Sequence, residues 1–300
     1  MEEGRPSATA QFAAMWRAAH LLWDDDPKIF QDPLALGLSG MESEAALRTA
    51  LETLQATLAQ RLSLEHAQAL FHSLRAGTIV RSRYTEDELN EALEHRAMQY
   101  VLLGAGLDSF AYRRGDLVDR VRVFEVDHPA TQQWKQGRLR ALHLEPPPNL
   151  TFIPCDFEHQ RWVEALRTGG YRQEDPAFFC WLGVTWYLTA EAIFETLQQV
   201  AGMAPGSEVV FDYPISEALL DDESREMMAP LKADMAARGE PWLSSFEPTS
   251  LAERVRGLGF AHVRDFSPEE ANARYFVGRT DRLRVRRGVH LMKAQVGSVA

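Results

Sequence analysis

Along residues 1–95, apolar positions recur every three to four residues. Beyond Met98 the pattern changes to short, dense apolar runs separated by polar spans. Leu47, Leu51, Leu54, Leu58 and Leu62 make the clearest helical stripe. Ser39 and Glu42 stand at capping-box spacing ahead of it. Thr85 and Glu88 form a second such box, predicted to open a helix carrying Leu89, Ala92, Leu93 and Ala97. The β-rich runs predict strands over 100–103, 121–126, 150–153, 177–182 and 208–213. Helices are expected between them over 132–144, 160–166 and 190–200, the last capped by Thr189.

This rhythm predicts an α/β fold, a mostly parallel sheet covered by helices on both faces. Residues 1–95 read as a helical N-terminal extension or cap, and 96–300 as the sheet domain. A helical, acidic insertion falls within 214–248, either a lid or a structural appendage. The tail adds a helix near 249–258 and strands over 260–263 and 283–292 at the sheet's antiparallel edge.

Composition narrows the function classes. A chain of 300 residues can bury roughly three quarters of its unfolded surface. With 45% apolar and 25% charged residues it predicts an ordinary globular protein rather than a disordered one. A net charge of −11 argues against a general nucleic-acid binder. The basic run Arg282-Leu283-Arg284-Val285-Arg286-Arg287 alternates as a strand with one charged face would. Cys155 and Cys180 alone make no disulfide scaffold, and no metal site is expected. The Met-Glu-Glu-Gly start lacks a signal-peptide pattern and no window is apolar enough for a membrane span, so a cytoplasmic protein is expected.

The candidate chemistry begins at Val101-Leu102-Leu103-Gly104-Ala105-Gly106-Leu107-Asp108. Two glycines allow a tight turn and close approach of a ligand. The third glycine of a dinucleotide signature is replaced by Ser109, and Asp108 adds a negative charge just past the turn. Both features argue for a ligand without a pyrophosphate. Asp127, 21 residues after Gly106, closes the second strand, where a carboxylate accepts ribose hydroxyls. Capping of the helix after Pro129 is the competing role, and Glu125 is the neighbouring carboxylate. Asp156, at the tip of the third strand, is placed to accept from an adenine amine, with Phe157 as apolar neighbour; a turn or cap role competes. Together these describe an adenosine site without pyrophosphate, which S-adenosylmethionine fits.

The segments 17–35 (RAAHLLWDDDPKIFQDPLA), 101–113 (VLLGAGLDSFAYR), 124–135 (FEVDHPATQQWK), 152–157 (FIPCDF) and 181–189 (WLGVTWYLT) carry a resemblance. The sequence resembles the class I S-adenosylmethionine-dependent methyltransferases, and more narrowly the leucine carboxyl methyltransferase-like family with its bacterial branch. The resemblance implies a Rossmann-like class I sheet and S-adenosylmethionine as cofactor, with S-adenosylhomocysteine as product. It implies that Gly104 meets the methionine end, Asp127 the ribose, and Asp156 with Phe157 the adenine. It also implies an arginine on the cofactor carboxylate, with Arg83 the matching candidate and Arg81 close behind. Leu182 stands where many members carry a glutamate, which puts their substrate chemistry in doubt for this chain. Thr185, Trp186 and Tyr187 are the candidate substrate-pocket residues, with core packing as the competing role for the two aromatics.

No residue identifies itself as catalytic. A carboxylate acceptor is ionised near neutral pH and needs no base, whereas a hydroxyl needs one. Neither His128, beside Asp127, nor His20, in the N-terminal motif, declares itself as that base. A small metabolite carboxylate is the preferred acceptor by resemblance. The alternatives are a protein C-terminal carboxylate, an NAD-dependent oxidoreductase, and a non-catalytic cofactor-binding or interaction module.

Overall fold

A computed structural model describes residues 7–94, 98–157 and 159–297. Ala97, the boundary expected at 95–96 and the Met-Glu-Glu-Gly start lie outside these residues. The chain begins with helices α1 (Ala8–Trp23), α2 (Ala35–Leu38), α3 (Glu44–Leu58) and α4 (Leu64–Glu94). The alternating part follows: β1 (Gln99–Leu103), α5 (Phe110–Arg113), β2 (Arg122–Asp127), α6 (Pro129–Ala141), β3 (Leu150–Pro154), α7 (Trp162–Thr168), β4 (Ala177–Trp181), α8 (Ala190–Ala201) and β5 (Glu208–Pro214). The tail holds α9 (Asp222–Ala237), α10 (Pro248–Gly257), β6 (Phe260–Phe266), α11 (Pro268–Tyr275) and β7 (Val289–Val296).

The seven strands run in the order β3-β2-β1-β4-β5-β7-β6. Strands β1 to β5 pair in parallel, and β7 is antiparallel to both its neighbours. This is the expected sheet, with strand β1 paired to β2 on one side and β4 on the other. The strand order therefore reverses beside β1, the position at which open α/β sheets bind ligands at the carboxyl ends of their strands.

Alternation along each strand divides the core. Val101, Leu103, Phe124 and Phe179 pack with Trp162, Ile193, Leu197 and Val255 on one face. Tyr100, Leu102, Val123 and Phe178 pack with Ile79, Leu89, Phe110 and Ala271 on the other. The N-terminal helices have their own apolar cluster. Leu47, Leu51 and Leu58 meet Met15, Trp16, Leu70 and Phe71, and Met227 of α9 joins them. Among the described residues, no helix is long and apolar enough to cross a membrane.

Three local expectations are corrected. Helix α3 starts at Ser43, whose hydroxyl accepts from the Ala46 amide, so Ser39 and Glu42 do not open it. Thr85 and Glu88 open nothing: both are buried inside the continuous α4, where three-residue spacing places them on one face. Residues 282–287 are not a strand. Leu283 and Val285 are buried and Arg284 is exposed, as alternation requires, but the amides of Val285 and Arg286 bond to the Asn272 and Ser73 side chains.

Candidate functional site

The glycine turn lies at the carboxyl end of β1. Gly104 and Gly106 have φ of 72° and 54°, a region that suits glycine. The amides of Gly104 and Ala105 both donate to the Val126 carbonyl, at 2.8 and 3.2 Å, folding the turn over the tip of β2. A Cβ on Gly104 would lie 2.5 Å from Cγ2 of Val184, so the turn also abuts the segment after β4.

Asp127 ends β2 and is only 9% exposed. Its carboxylate accepts from the Gly106 amide and, at 2.6 Å, from the His128 amide. Burial pushes its carboxyl above the ordinary value, partly offset by those two amides. Two accepted bonds leave lone pairs for further donors. The capping role belongs to His128, whose Nδ1 accepts from the Ala130 amide at the start of α6. Asp156 is brought next to Asp127 because the Cys155 amide donates to the Asp127 carbonyl at 2.8 Å. Asp156 lies in a turn closed by its carbonyl and the His159 and Gln160 amides, and Phe157 beside it is 40% exposed.

Asp108 and Ser109 explain the missing glycine. The Asp108 carboxylate accepts from the Phe110 amide at 2.6 Å, taking a helix-terminal donor that a pyrophosphate would use. Ser109 is buried, its hydroxyl accepting from Nε of Arg113. Asp32 gathers the surroundings of the turn. Its carboxylate accepts from Nε of Arg17 at 2.7 Å, and Arg17 also donates to the Leu107 carbonyl at 2.6 Å. Although burial opposes it, the two arginines Arg17 and Arg113 hold the Asp32 carboxyl below its ordinary value.

A second buried aspartate lies against the turn after β4. Asp212, inside the apolar run of β5, is fully buried. Its carboxylate accepts from the Gly183 amide at 2.7 Å and from Nη1 of Arg81 at 2.9 Å. The Arg81 guanidinium lies over Gly183, whose missing side chain leaves room for it. Arg83 is elsewhere: nearly half exposed, it donates to Asp87 at 2.7 Å and to the Ile29 carbonyl at 3.2 Å. Residues two apart on a helix face opposite ways, so only one of the two arginines can reach the glycine turns. Sequence reasoning missed Asp212, though a lone carboxylate within Val-Val-Phe-Asp-Tyr-Pro was a signal, since a buried charge requires partners.

The three candidate pocket residues form a 3₁₀ turn, Thr185–Tyr187. They divide in role. The Thr185 hydroxyl donates to the Asp212 carbonyl at 2.5 Å and is fully buried. Trp186 meets Trp242 edge-on, ring centroids 4.7 Å apart, at the wall of an apolar cavity of about 130 Å³. The Tyr187 hydroxyl lies 3.1 Å from that of Thr9 on α1, which donates to Glu240 just after α9 at 2.6 Å. Leu182 is half-buried and packs with the apolar core. Nε2 of His20 accepts from the Ile29 and Phe30 amides, and its Nδ1 bonds Asp24 at 2.7 Å, which fixes the proton on Nδ1.

Known proteins are similar to this chain in sequence and in fold. Residues 10–201 match the family model described as leucine carboxyl methyltransferase. A Bacillus subtilis protein named "Putative S-adenosyl-L-methionine-dependent methyltransferase YktD" is 30% identical, with 98% of this chain and 99% of that protein covered. A Mycobacterium bovis protein named "Putative S-adenosyl-L-methionine-dependent methyltransferase" is 33% identical over 50% of this chain and 48% of its own length. Among solved structures, one titled as a putative methyltransferase from Thermobifida fusca aligns with a TM-score of 0.58 at 15% identity. It covers 99% of this chain and 97% of its own, a likeness of fold.

Proposed function

The chain belongs to the leucine carboxyl methyltransferase family, and from that premise we propose that it methylates the carboxylate of a small metabolite with S-adenosylmethionine. The residues at the tips of β1, β2 and β3 fit this cofactor. Asp127 has lone pairs left for ribose hydroxyls, the adjacent Asp156 and Phe157 suit adenine, and Gly104 keeps the turn open beside them. Arg81, rather than Arg83, is assigned to the cofactor carboxylate, because it lies over the Gly183 turn, whose next residue packs on Gly104, and a guanidinium binds a carboxylate in two-pronged fashion. An NAD-dependent oxidoreductase is set aside by family membership and by Asp108, which holds the helix amide a pyrophosphate would need.

When bound, the cofactor supplies an electrophilic methyl group: the acceptor oxygen's lone pair forms the O–C bond, the C–S pair leaves on sulfur, and no proton moves. The protein then has to orient, desolvate and close. Thr9 of α1, Tyr187 and Glu240 meet by hydrogen bonds, so residues of the 1–95 cap and the 214–248 insertion close over the same 3₁₀ turn; the insertion is assigned as a lid.

One observation carries the choice of a carboxylate over a hydroxyl. The titratable side chains that the motifs bring here are committed: His128 caps a helix and His20 accepts backbone amides with its free nitrogen. Burial raises the Tyr187 hydroxyl above its ordinary value, so it stays protonated. A hydroxyl acceptor would need a base that these groups do not provide. A transfer screen with methyl-labelled S-adenosylmethionine against small acids, alcohols and peptides tests this. Label in a base-labile small methyl ester is expected; a base-stable ether or labelled peptide would refute it.

A further inference from the structure

The apolar cavity beside Trp186 lies at the far side of Arg81 and Asp212 from the glycine turn. Leu74 of α4, Met228 and Leu231 of α9, Phe266 at the end of β6 and the Trp186–Trp242 pair supply its apolar wall. Its 130 Å³ approaches the roughly 150 Å³ of an apolar cavity known to hold benzene. Its polar lining comprises Ser73, Thr78, Ser267 and Arg287 together with the Arg81–Asp212 pair, which meets Gly183; Val184, the next residue, lies against Gly104. The Arg81–Asp212 lining of the cavity is thus linked by direct contacts, through Gly183 and Val184, to the glycine turn after β1. Asp212 is already occupied by Arg81 and the Gly183 amide. The indole N–H of Trp186, in contrast, is buried without a hydrogen-bond partner among the described residues. A buried donor left unpaired costs free energy, so its presence on a cavity wall points to an oxygen supplied from outside.

We propose that this cavity is the acceptor site and that it takes a monocarboxylic acid with a benzene-sized apolar body. The ring lies among Leu74, Met228, Leu231 and Phe266, and one carboxylate oxygen accepts from Nε1 of Trp186 while the other faces the methyl group. The insertion supplies Met228, Leu231 and Trp242, so it sets which acid is accepted as well as closing over it. This assignment rests on the methyl-transfer reading above.

Calorimetry on the protein saturated with S-adenosylhomocysteine tests it, with 3-phenylpropanoate and succinate as probes. Phenylpropanoate is expected to bind about tenfold or more tighter than succinate. Leu231→Trp, which fills the cavity, should remove that preference while S-adenosylhomocysteine affinity stays within about twofold. Trp186→Phe keeps an aromatic ring but removes the donor, and should weaken phenylpropanoate about tenfold. Equal binding of the two acids, or a preference that survives both substitutions in variants that still bind S-adenosylhomocysteine, would overturn the assignment alone. Failure of the unaltered protein to bind S-adenosylhomocysteine would overturn the methyl-transfer reading and this inference with it.

Discussion

Two buried aspartates, one ending β2 and one within β5, are built alike. Asp127 at the end of β2 accepts from the Gly106 amide of the turn after β1; Asp212 in β5 accepts from the Gly183 amide of the turn after β4. Both are buried carboxylates locked to a glycine turn on the neighbouring strand. They differ in the second partner. Asp127 has another backbone amide and, among the described residues, no cation within ion-pair distance, while Asp212 has the Arg81 guanidinium. A buried carboxylate held only by neutral donors is under-stabilised, and its raised pKa is the sign of that. It gains from further neutral donors such as ribose hydroxyls. The second carboxylate is balanced already by its cation. On the reading proposed above, similar backbone geometry gives one half-site for hydroxyls and another for a carboxylate.

Breaking the Asp212 side should have the largest effect on stability. Asp212→Ala strands the Arg81 guanidinium and the Gly183 amide, and should cost about 3–5 kcal/mol in urea unfolding. A loss below about 1 kcal/mol would mean that the pair contributes little. Next, Arg81→Ala should weaken S-adenosylhomocysteine about a hundredfold. Arg83→Ala, whose partners are Asp87 and Ile29, should stay within about twofold. The reverse ranking, read by calorimetry, would return the carboxylate grip to Arg83. Gly104→Ala combines a φ of 72° with a 2.5 Å approach to Val184, and should destabilise by about 1–3 kcal/mol in thermal unfolding.

The smallest effect concerns pH. Glu125 lies two residues before Asp127 in the same strand, paired with Lys135. Full burial, against the pull of Lys135, raises its carboxyl from 4.5 to about 7. Between those values the folded chain binds more protons at Glu125 than the unfolded chain does. This group's contribution to stability therefore falls as pH rises through that window. Glu125→Gln should flatten the stability profile between pH 4.5 and about 7; an unchanged slope would place the dependence elsewhere.

The sheet was legible because each parallel strand is a short apolar run ending at Gly, Asp or Pro. The expected 100–103 and 208–213 became Gln99–Leu103 and Glu208–Pro214. What failed has a common cause in distant contacts. Glu88 resembles a capping residue only until Lys293 and Arg274, far along the chain, are seen to bond its carboxylate. Residues 282–287 have the alternation of a strand, but Ser73 and Asn272 side chains replace a strand partner. Spacing alone did not separate Arg81 from Arg83; once α4 is known to be continuous, helix phase puts them on different faces, Arg81 over Gly183 and Arg83 beside Asp87. The positions of Asp127 and Asp156 at the ends of neighbouring strands follow from the parallel pairing of β2 and β3, which sets the two tips side by side.

The central claim is that Asp127 is a binding group rather than a structural one. Titration of Asp127→Ala with S-adenosylhomocysteine, alongside its urea unfolding curve, tests this directly. The account predicts affinity lower by about a hundredfold and stability changed by no more than about 1–2 kcal/mol. Unchanged affinity in a folded variant would contradict it.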